Sequence, residues 1–276
     1  MEKIAAIQMA SGPNLSANLI EAERLVSMAA KAGAKLVVLP ENFFMMGMKE
    51  EDKLKHLEPE GASGPLQLFL SQLAVKQKIW LVGGTVPLQS PQAGKCYASS
   101  LLFDDHGDLV ARYDKIHLFD VHIKESGEEY QESKTIAPGE RCVVVDTPFG
   151  RLGLAVCYDL RFPSLFQVMA AEGVEIITLP SAFTAITGKA HWDILVRARA
   201  IETFSYVVAS AQGGYHRNGR ETYGHSMVVD PWGSVSDLLP SGSGFVIADL
   251  DRKCQAEIRS QFPALHHRRF DCHLRP

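Results

Sequence analysis

Two stretches of this chain repeat one pattern, and the repeat limits what the chain can fold into. Residues 28–43 read MAAKAGAKLVVLPENF and residues 169–183 read MAAEGVEIITLPSAF. One fixed offset superposes Leu36 on Ile176, Leu39-Pro40 on Leu179-Pro180 and Phe43 on Phe183. A second echo follows in each half: YASSLLFDDHGDLV at 97–110 and YGHSMVVDPWGSVS at 223–236. Chance likeness between apolar strands is the plainer reading of either pair alone. The matched Leu-Pro, Asp and Gly positions favour a helix–strand unit used twice. Such a unit cannot bury its apolar face by itself, so two copies predict two sheets packed face to face with helices outside. No linker rich in Gly, Pro or Ser separates the copies. Residues 1–276 are therefore expected to form a single domain with duplicated halves, roughly 1–113 and 142–250.

The pattern along the chain agrees. Short apolar runs at 3–9, 35–39, 79–85, 97–103 and 109–113 read as strands, as do those at 142–146, 151–157, 175–179, 205–211, 225–229 and 244–250. Helical spacing of Leu19, Ala22, Leu25, Val26 and Ala29 predicts a helix over 16–32. Pro65 and Pro163 can start helices at 65–77 and 163–172, and 189–203 reads as a further helix. In that last helix Leu195, Ala198 and Ile201 suggest the packed face, with Arg197 and Arg199 as surface or interface charges. Nearly all-apolar strands between helices give an α/β class. The stretch 116–140 departs from this, reading as a long charged loop.

Composition removes several classes of function. Lys plus Arg is 28 against 32 for Asp plus Glu, a formal net charge of −4. Nucleic-acid and anionic-membrane binders usually carry a basic surplus, so neither partner is expected. No run approaches the roughly 18 apolar residues of a spanning helix, and the N-terminus lacks a basic segment ahead of a full apolar core. The five cysteines form no C-x-x-C pair and are odd in number. A disulfide framework or Cys-rich zinc site is thus not expected, and a reducing, cytoplasmic setting is. His117 and His122, or the adjacent His266 and His267, do not make a metal site, so no metal and no cofactor are expected.

Three polar residues stand just past apolar strands. Glu41 follows KLVVLP, Lys115 follows LVARYD, and Cys157 closes RLGLAVC. In open α/β sheets chemistry gathers at the carboxyl ends of strands. Lys115 joins that edge if 97–103 runs against the main strands and the DDHG turn reverses the chain. Singly, each has a plainer reading: a solvated glutamate, a solvated lysine, a core cysteine. Together they supply base, cation and nucleophile, the parts of a covalent amide-cleavage site. Cys157 also precedes Arg161 and a helix start at Pro163. That setting favours the thiolate and predicts a depressed thiol pKa. No G-x-S-x-G, S-x-x-K, P-loop or H-E-x-x-H pattern competes.

Leu39-Pro40-Glu41, Lys115-Ile116-His117 and the run Val156-Cys157-Tyr158-Asp159-Leu160-Arg161-Phe162-Pro163 resemble the signature blocks of the nitrilase, or carbon–nitrogen hydrolase, superfamily. The likeness runs in family order from Ile4-Ala5-Ala6-Ile7-Gln8 to the region of Arg259. It implies an αββα four-layer sandwich, in agreement with the duplication. It also implies Glu41 as general base, Lys115 as oxyanion-stabilising cation and Cys157 as nucleophile. By the same resemblance Glu132 is a second glutamate that positions substrate and catalytic groups, and the Tyr158 backbone N–H a second oxyanion donor. Glu132 lies in the charged loop, where the residues alone read as a solvated charge.

The second half carries a finer likeness, in Pro180-Ser181-Ala182-Phe183, Thr187-Gly188, Ala190-His191-Trp192 and the block from Tyr223 to Gly233. It resembles the branch that hydrolyses deaminated glutathione, close kin of the ω-amidases that cleave 2-oxoglutaramate. That resemblance implies Arg161, Phe183 and Thr187 around a 2-oxoglutaryl group, whose carboxylate suits a guanidinium. Phe183 as a core aromatic and Thr187 as a turn residue are the plainer alternatives. A homodimer is implied as well, supported by the 189–203 helix. A catalytically silent scaffold of the same fold is the competing class of function.

Overall fold

The strands of the first half form one sheet whose outer face is covered by two helices. In the computed structural model, which describes residues 1–61, 63–124 and 127–272, the chain opens with β1 (Glu2–Gln8), α1 (Leu15–Lys31), β2 (Ala34–Val38), α2 (Pro65–Gln77) and β3 (Trp80–Val82). It continues with β4 (Val86–Gln89), β5 (Cys96–Phe103) and β6 (Leu109–Asp114), then β7 (Asp120–Ile123) and β8 (Glu128–Gln131). The second half holds β9 (Val144–Thr147), β10 (Gly150–Leu154), α3 (Pro163–Ala171), β11 (Ile176–Ser181), α4 (Ala185–Thr203) and β12 (Tyr206–Ala211). A small pair, β13 (Gly213–Tyr215) and β14 (Glu221–Tyr223), precedes β15 (Ser226–Val229), β16 (Val235–Leu239), β17 (Gly244–Leu250) and α5 (Arg252–Gln261).

The two sheets repeat one order. The first runs β17-β1-β2-β3-β5, with β6 and β4 also on β5, and the second runs β9-β10-β11-β12-β15-β16. In each, the first three strands after the edge are parallel and the next is antiparallel. The edges match too: β17 runs antiparallel to β1 as β9 does to β10. The last strand expected in the second half therefore lies in the first sheet. Because β5 opposes β3 and β6 opposes β5, β6 runs parallel to β3 and delivers Lys115 to the expected edge. The two echoed turns also coincide. The Asp104 carboxylate accepts the His106 and Asp108 N–H groups, and that of Asp230 accepts those of Trp232 and Ser234. Gly107 and Gly233 close these turns at φ 86° and 85°, a backbone state other residues adopt at a cost.

Alternation along the strands separates the layers. Ile4, Ala6, Leu36 and Val38 face the second sheet and pack with Leu152, Leu154, Ile176 and Val208. Ala5, Ile7, Val37 and Leu39 turn outward onto Ala22, Leu25, Val26 and Ala29 of α1. Fully burying one such side chain contributes roughly 1.5–3 kcal/mol, so this central interface dominates stability. Caps set the helix starts: Asn14 accepts the Ala17 N–H, Thr184 that of Thr187, and Asp251 that of Cys254, while Pro65 and Pro163 open α2 and α3.

Several expectations change. The stretch 116–140 is not an open loop: β7 and β8 form a hairpin, followed by a turn at Glu132–Lys134. The packed face of α4 is Trp192, Val196, Arg199, Ala200 and Thr203, whereas Ile201 is exposed. Arg199 is not a surface charge. It is buried, and its Nε and Nη2 both donate to the Leu160 carbonyl at 3.0 and 2.9 Å. Among the described residues, no helix is long and apolar enough to cross a membrane.

Candidate active site

Glu41, Lys115 and Cys157 reach one cleft from three strand ends. Directly after β2, the turn Leu39–Phe44 is pinned on both sides. The Asn42 N–H donates to Thr85 Oγ1, and Gln212 Nε2 donates to the Glu41 carbonyl. Ser11 Oγ and Asn18 Nδ2 hold the carbonyls of Phe43 and Phe44. Gly84, at φ 55°, passes so close that a Cβ there would overlap the Pro40 carbonyl. Lys115 directly follows β6, where its N–H donates to Ala98 and its carbonyl accepts from Gly139. Cys157 begins a turn of 3₁₀ helix, Cys157–Arg161, with φ 47°, an uncommon state for a residue with a side chain.

Asp159 joins two of these strand ends. Its buried carboxylate accepts the Val156 N–H and the Tyr113 hydroxyl on one oxygen, at 2.8 and 2.7 Å. On the other it meets the His117 N–H at 3.1 Å and His117 Nδ1 at 2.7 Å. The Cys157 turn and the Lys115 strand end are thereby tied through one side chain. The His117 ring stacks on Phe162 with centroids 3.7 Å apart.

Lys115 is 1% exposed and its ammonium lies between two carboxylates. Nζ donates to Glu41 Oε1 at 2.8 Å and to Glu132 Oε1 and Oε2 at 2.9 and 2.8 Å. Burial alone disfavours the charge, but Glu132 and Glu41 outweigh it and hold the lysine pKa well above its ordinary value. Glu132 is oriented by its own turn after β8 and accepts the Phe119 N–H at 2.7 Å. The hairpin thus places a residue that the sequence pattern alone reads as solvated.

The Cys157 thiol lies opposite to the expected direction. Burial pushes its pKa well above the ordinary thiol value, and the neighbouring Glu41 carboxylate pushes it further. Lys115 and the Ala182 N–H, 3.5 Å from Sγ, pull downward and do not prevail. Arg161 is occupied elsewhere, its Nη1 3.1 Å from His191 Nδ1 and its guanidinium 5.0 Å from the Phe183 ring centroid. At rest Cys157 carries a thiol beside the Glu41 carboxylate.

Tyr158, Arg161, Phe183 and Thr187 line the same cleft as Glu41, Lys115, Glu132 and Cys157, in a space of about 510 Å³ including its mouth. Phe183 is buried against Trp192, 4.9 Å between ring centroids, and Thr187 stands in the first turn of α4 beside Thr184 Oγ1. Gly188 is required there, since a Cβ would overlap the Tyr223 ring. Glu50 and Lys53 are among the lining side chains that escape the sequence reading, whereas Arg220 lies in the segment 213–222 that the sequence offers for the leaving-group side. Glu50 and Lys53 sit in a charge run that looks solvated yet pair at 2.7 Å in the cleft wall. Tyr130 comes from the hairpin, and Arg220 from the β13–β14 turn. His216 of that turn is buried between the Ser11 carbonyl and Thr222 Oγ1 and does not line the cleft. Among the described residues, one His/Cys/Asp/Glu group brings three ligand atoms within 4.8 Å of one another: Asp104, Asp105 and His106. It sits in the β5–β6 turn, at the far end of β6 from Lys115.

Comparison with known proteins follows this geometry. The carbon-nitrogen hydrolase family model matches residues 3–259. A Yersinia enterocolitica protein named deaminated glutathione amidase is 43% identical over 274 residues, spanning 99% of this chain and 95% of its own. The Saccharomyces cerevisiae omega-amidase NIT3 is 38% identical, covering 98% of this chain and 94% of its own. The crystal structure of Saccharomyces cerevisiae Nit3, described as a member of branch 10 of the nitrilase superfamily, superposes with a TM-score of 0.87 at 35% identity. It covers 98% of this chain and 97% of that one.

Proposed function

The chain belongs to the carbon-nitrogen hydrolase family, and from that premise we propose that it hydrolyses deaminated glutathione to 2-oxoglutarate and cysteinylglycine. It is a hydrolytic amidase of the αββα sandwich fold. The observation that carries the reaction type is the Lys115 ammonium held between Glu41 and Glu132 in the cleft that holds Cys157. The substrate rests on the full-length likeness to relatives that bear this activity in their names.

In this reading Glu41 takes the Cys157 proton as Sγ attacks the amide carbon. The raised thiol pKa makes the base necessary, because little thiolate exists beforehand. The Lys115 ammonium, with the Tyr158 backbone N–H, faces the developing oxyanion. Protonated Glu41 gives its proton to the leaving nitrogen, cysteinylglycine departs, and a 2-oxoglutaryl thioester remains. Glu41 then deprotonates water, which hydrolyses the thioester. Glu132 fixes the Lys115 ammonium throughout, and Arg161, Phe183 and Thr187 hold the 2-oxoglutaryl group.

Cleavage of 2-oxoglutaramate is the second reading, favoured by likeness to the yeast omega-amidase. Both substrates must be measured on one preparation, since specificity is a ratio of kcat/KM values. A higher value for deaminated glutathione supports the proposal; a higher value for 2-oxoglutaramate replaces it, with the same catalytic groups. Against a silent scaffold stands the presence in one cleft of every group the chemistry needs. We also propose a homodimer, supported by Ile194 and Ile201 of α4, 70% and 46% exposed, and by the exposed Trp232 beside Ile201. A reducing, cytoplasmic setting suits the five free cysteines and a thiol nucleophile.

A further inference from the structure

The cleft is lined by four cations, and two of them have a carboxylate partner. Lys115 lies between Glu41 and Glu132, and Lys53 pairs with Glu50. The guanidinium groups of Arg161 and Arg220 make no ion pair among the described residues. Arg161 meets His191 and the Phe183 ring, on the side where the 2-oxoglutaryl group is placed above. Arg220 comes from the β13–β14 turn, its guanidinium carbon 5.0 Å from the Tyr130 ring centroid of the hairpin. Its Nη2 donates to the Ala182 carbonyl, whose own residue's N–H touches Cys157 Sγ. Arg220 Nε is buried without an acceptor. Nature seldom leaves a buried guanidinium N–H unpaired, because its desolvation is then uncompensated.

Two unpaired guanidinium groups flanking one thiol match a substrate with a carboxylate at each end. Deaminated glutathione has this character: one carboxylate on the 2-oxoglutaryl group and one on the glycine of the leaving dipeptide. 2-Oxoglutaramate has only the first. We propose that Arg220 binds the C-terminal carboxylate of the leaving dipeptide and so selects the longer substrate. Arg220 lines the cleft, where its guanidinium can meet that carboxylate, and the Tyr130 ring keeps the guanidinium plane in place. Glu50 hydrogen-bonds Lys53 and not Arg220, although both cations, Lys53 the more strongly, hold its pKa below the ordinary carboxylate value.

This inference rests on the proposed substrate and is tested with three compounds: deaminated glutathione, its C-terminal carboxamide, and 2-oxoglutaramate. Wild type is expected to favour the acid over the carboxamide by about tenfold or more in kcat/KM, the scale of a charge-assisted contact. Arg220→Gln is expected to lose that preference, and to lose more on deaminated glutathione than on 2-oxoglutaramate. Arg220→Lys, which keeps the charge but not the fork, should retain part of it. Absence of an acid preference in wild type overturns the inference even if the variants fold poorly. So does a preference that survives in Arg220→Gln, or an equal fall on all three compounds, which would place Arg220 on the acyl side or in the scaffold. Wild type that cleaves 2-oxoglutaramate but not deaminated glutathione refutes the proposed function itself, and the inference with it.

Discussion

At the residue scale the chemistry turns on a thiol that is harder, not easier, to ionise. Two causes act in one direction, burial and the Glu41 carboxylate, and only the second can be removed by substitution. Replacing Glu41 by Gln takes away a like charge, so the thiol pKa should fall. Carboxamidomethylation of Cys157, followed peptide by peptide against pH, is expected to show its inflection at lower pH in Glu41→Gln than in wild type. Amide turnover by the same variant should drop by orders of magnitude, because the proton shuttle is gone. Identical inflections would show that the carboxylate does not govern the thiol. Lys115→Met removes the cation between two carboxylates and leaves like charges facing each other. It is expected to cost about 3–5 kcal/mol in denaturant unfolding in addition to activity. Glu41, Lys115 and Cys157 were legible because each ends an apolar strand. Glu132 was legible only by family likeness, since nothing in a charged stretch marks which glutamate turns inward. The direction of the thiol shift was not legible, because it depends on how deeply a neighbouring loop buries Sγ.

Elements matter through what they hold still. The Cys157–Arg161 turn is secured from below by Asp159, which accepts from Val156 and Tyr113 and meets His117. From the side, Arg199 of α4 grips the Leu160 carbonyl and lies over the Phe166 ring, 5.1 Å from its centroid. An Asn at 159 cannot accept on both of its terminal atoms, so one pair of donors would face an NH₂ group. Asp159→Asn should therefore cost about 2–3 kcal/mol and lower kcat more than it raises KM. Urea unfolding with parallel kinetics checks this, and a variant with wild-type stability would remove Asp159 from its place in the argument. The helices and most strands were readable from apolar spacing and from caps such as Asn14 and Pro65. The β7–β8 hairpin was not, because its strands carry only three apolar side chains, Val121, Ile123 and Tyr130. The inward face of α4 was misjudged for a related reason. Arg199 is buried by hydrogen bonds to a carbonyl, a pairing that a hydrophobic pattern cannot register.

For the whole molecule, the strand order shared by the two sheets underlies both the sandwich and the position of the cleft. Two sheets of one strand order meet face to face, and their Leu-Pro pairs, at 39–40 just past β2 and 179–180 at the end of β11, lead into Glu41 on one side and Ala182 and Phe183 on the other. That symmetry was visible in the matched blocks, although the exchange of β17 into the first sheet was not, because edge pairing leaves no mark in composition. The exposed Ile194 and Ile201 predict association through α4. Light scattering should give twice the chain mass of 30.3 kDa over a wide concentration range, and Ile194→Glu should shift it toward one. A wild-type monomer at all concentrations would contradict this.

The most direct measurement is intact-mass spectrometry of wild-type protein mixed with deaminated glutathione and quenched in acid during turnover. One 2-oxoglutaryl adduct is expected, mapping to the peptide that carries Cys157, absent from Cys157→Ala and accompanied in that variant by loss of 2-oxoglutarate release. An adduct on any other residue, or undiminished release by Cys157→Ala, would contradict a thioester mechanism at this site.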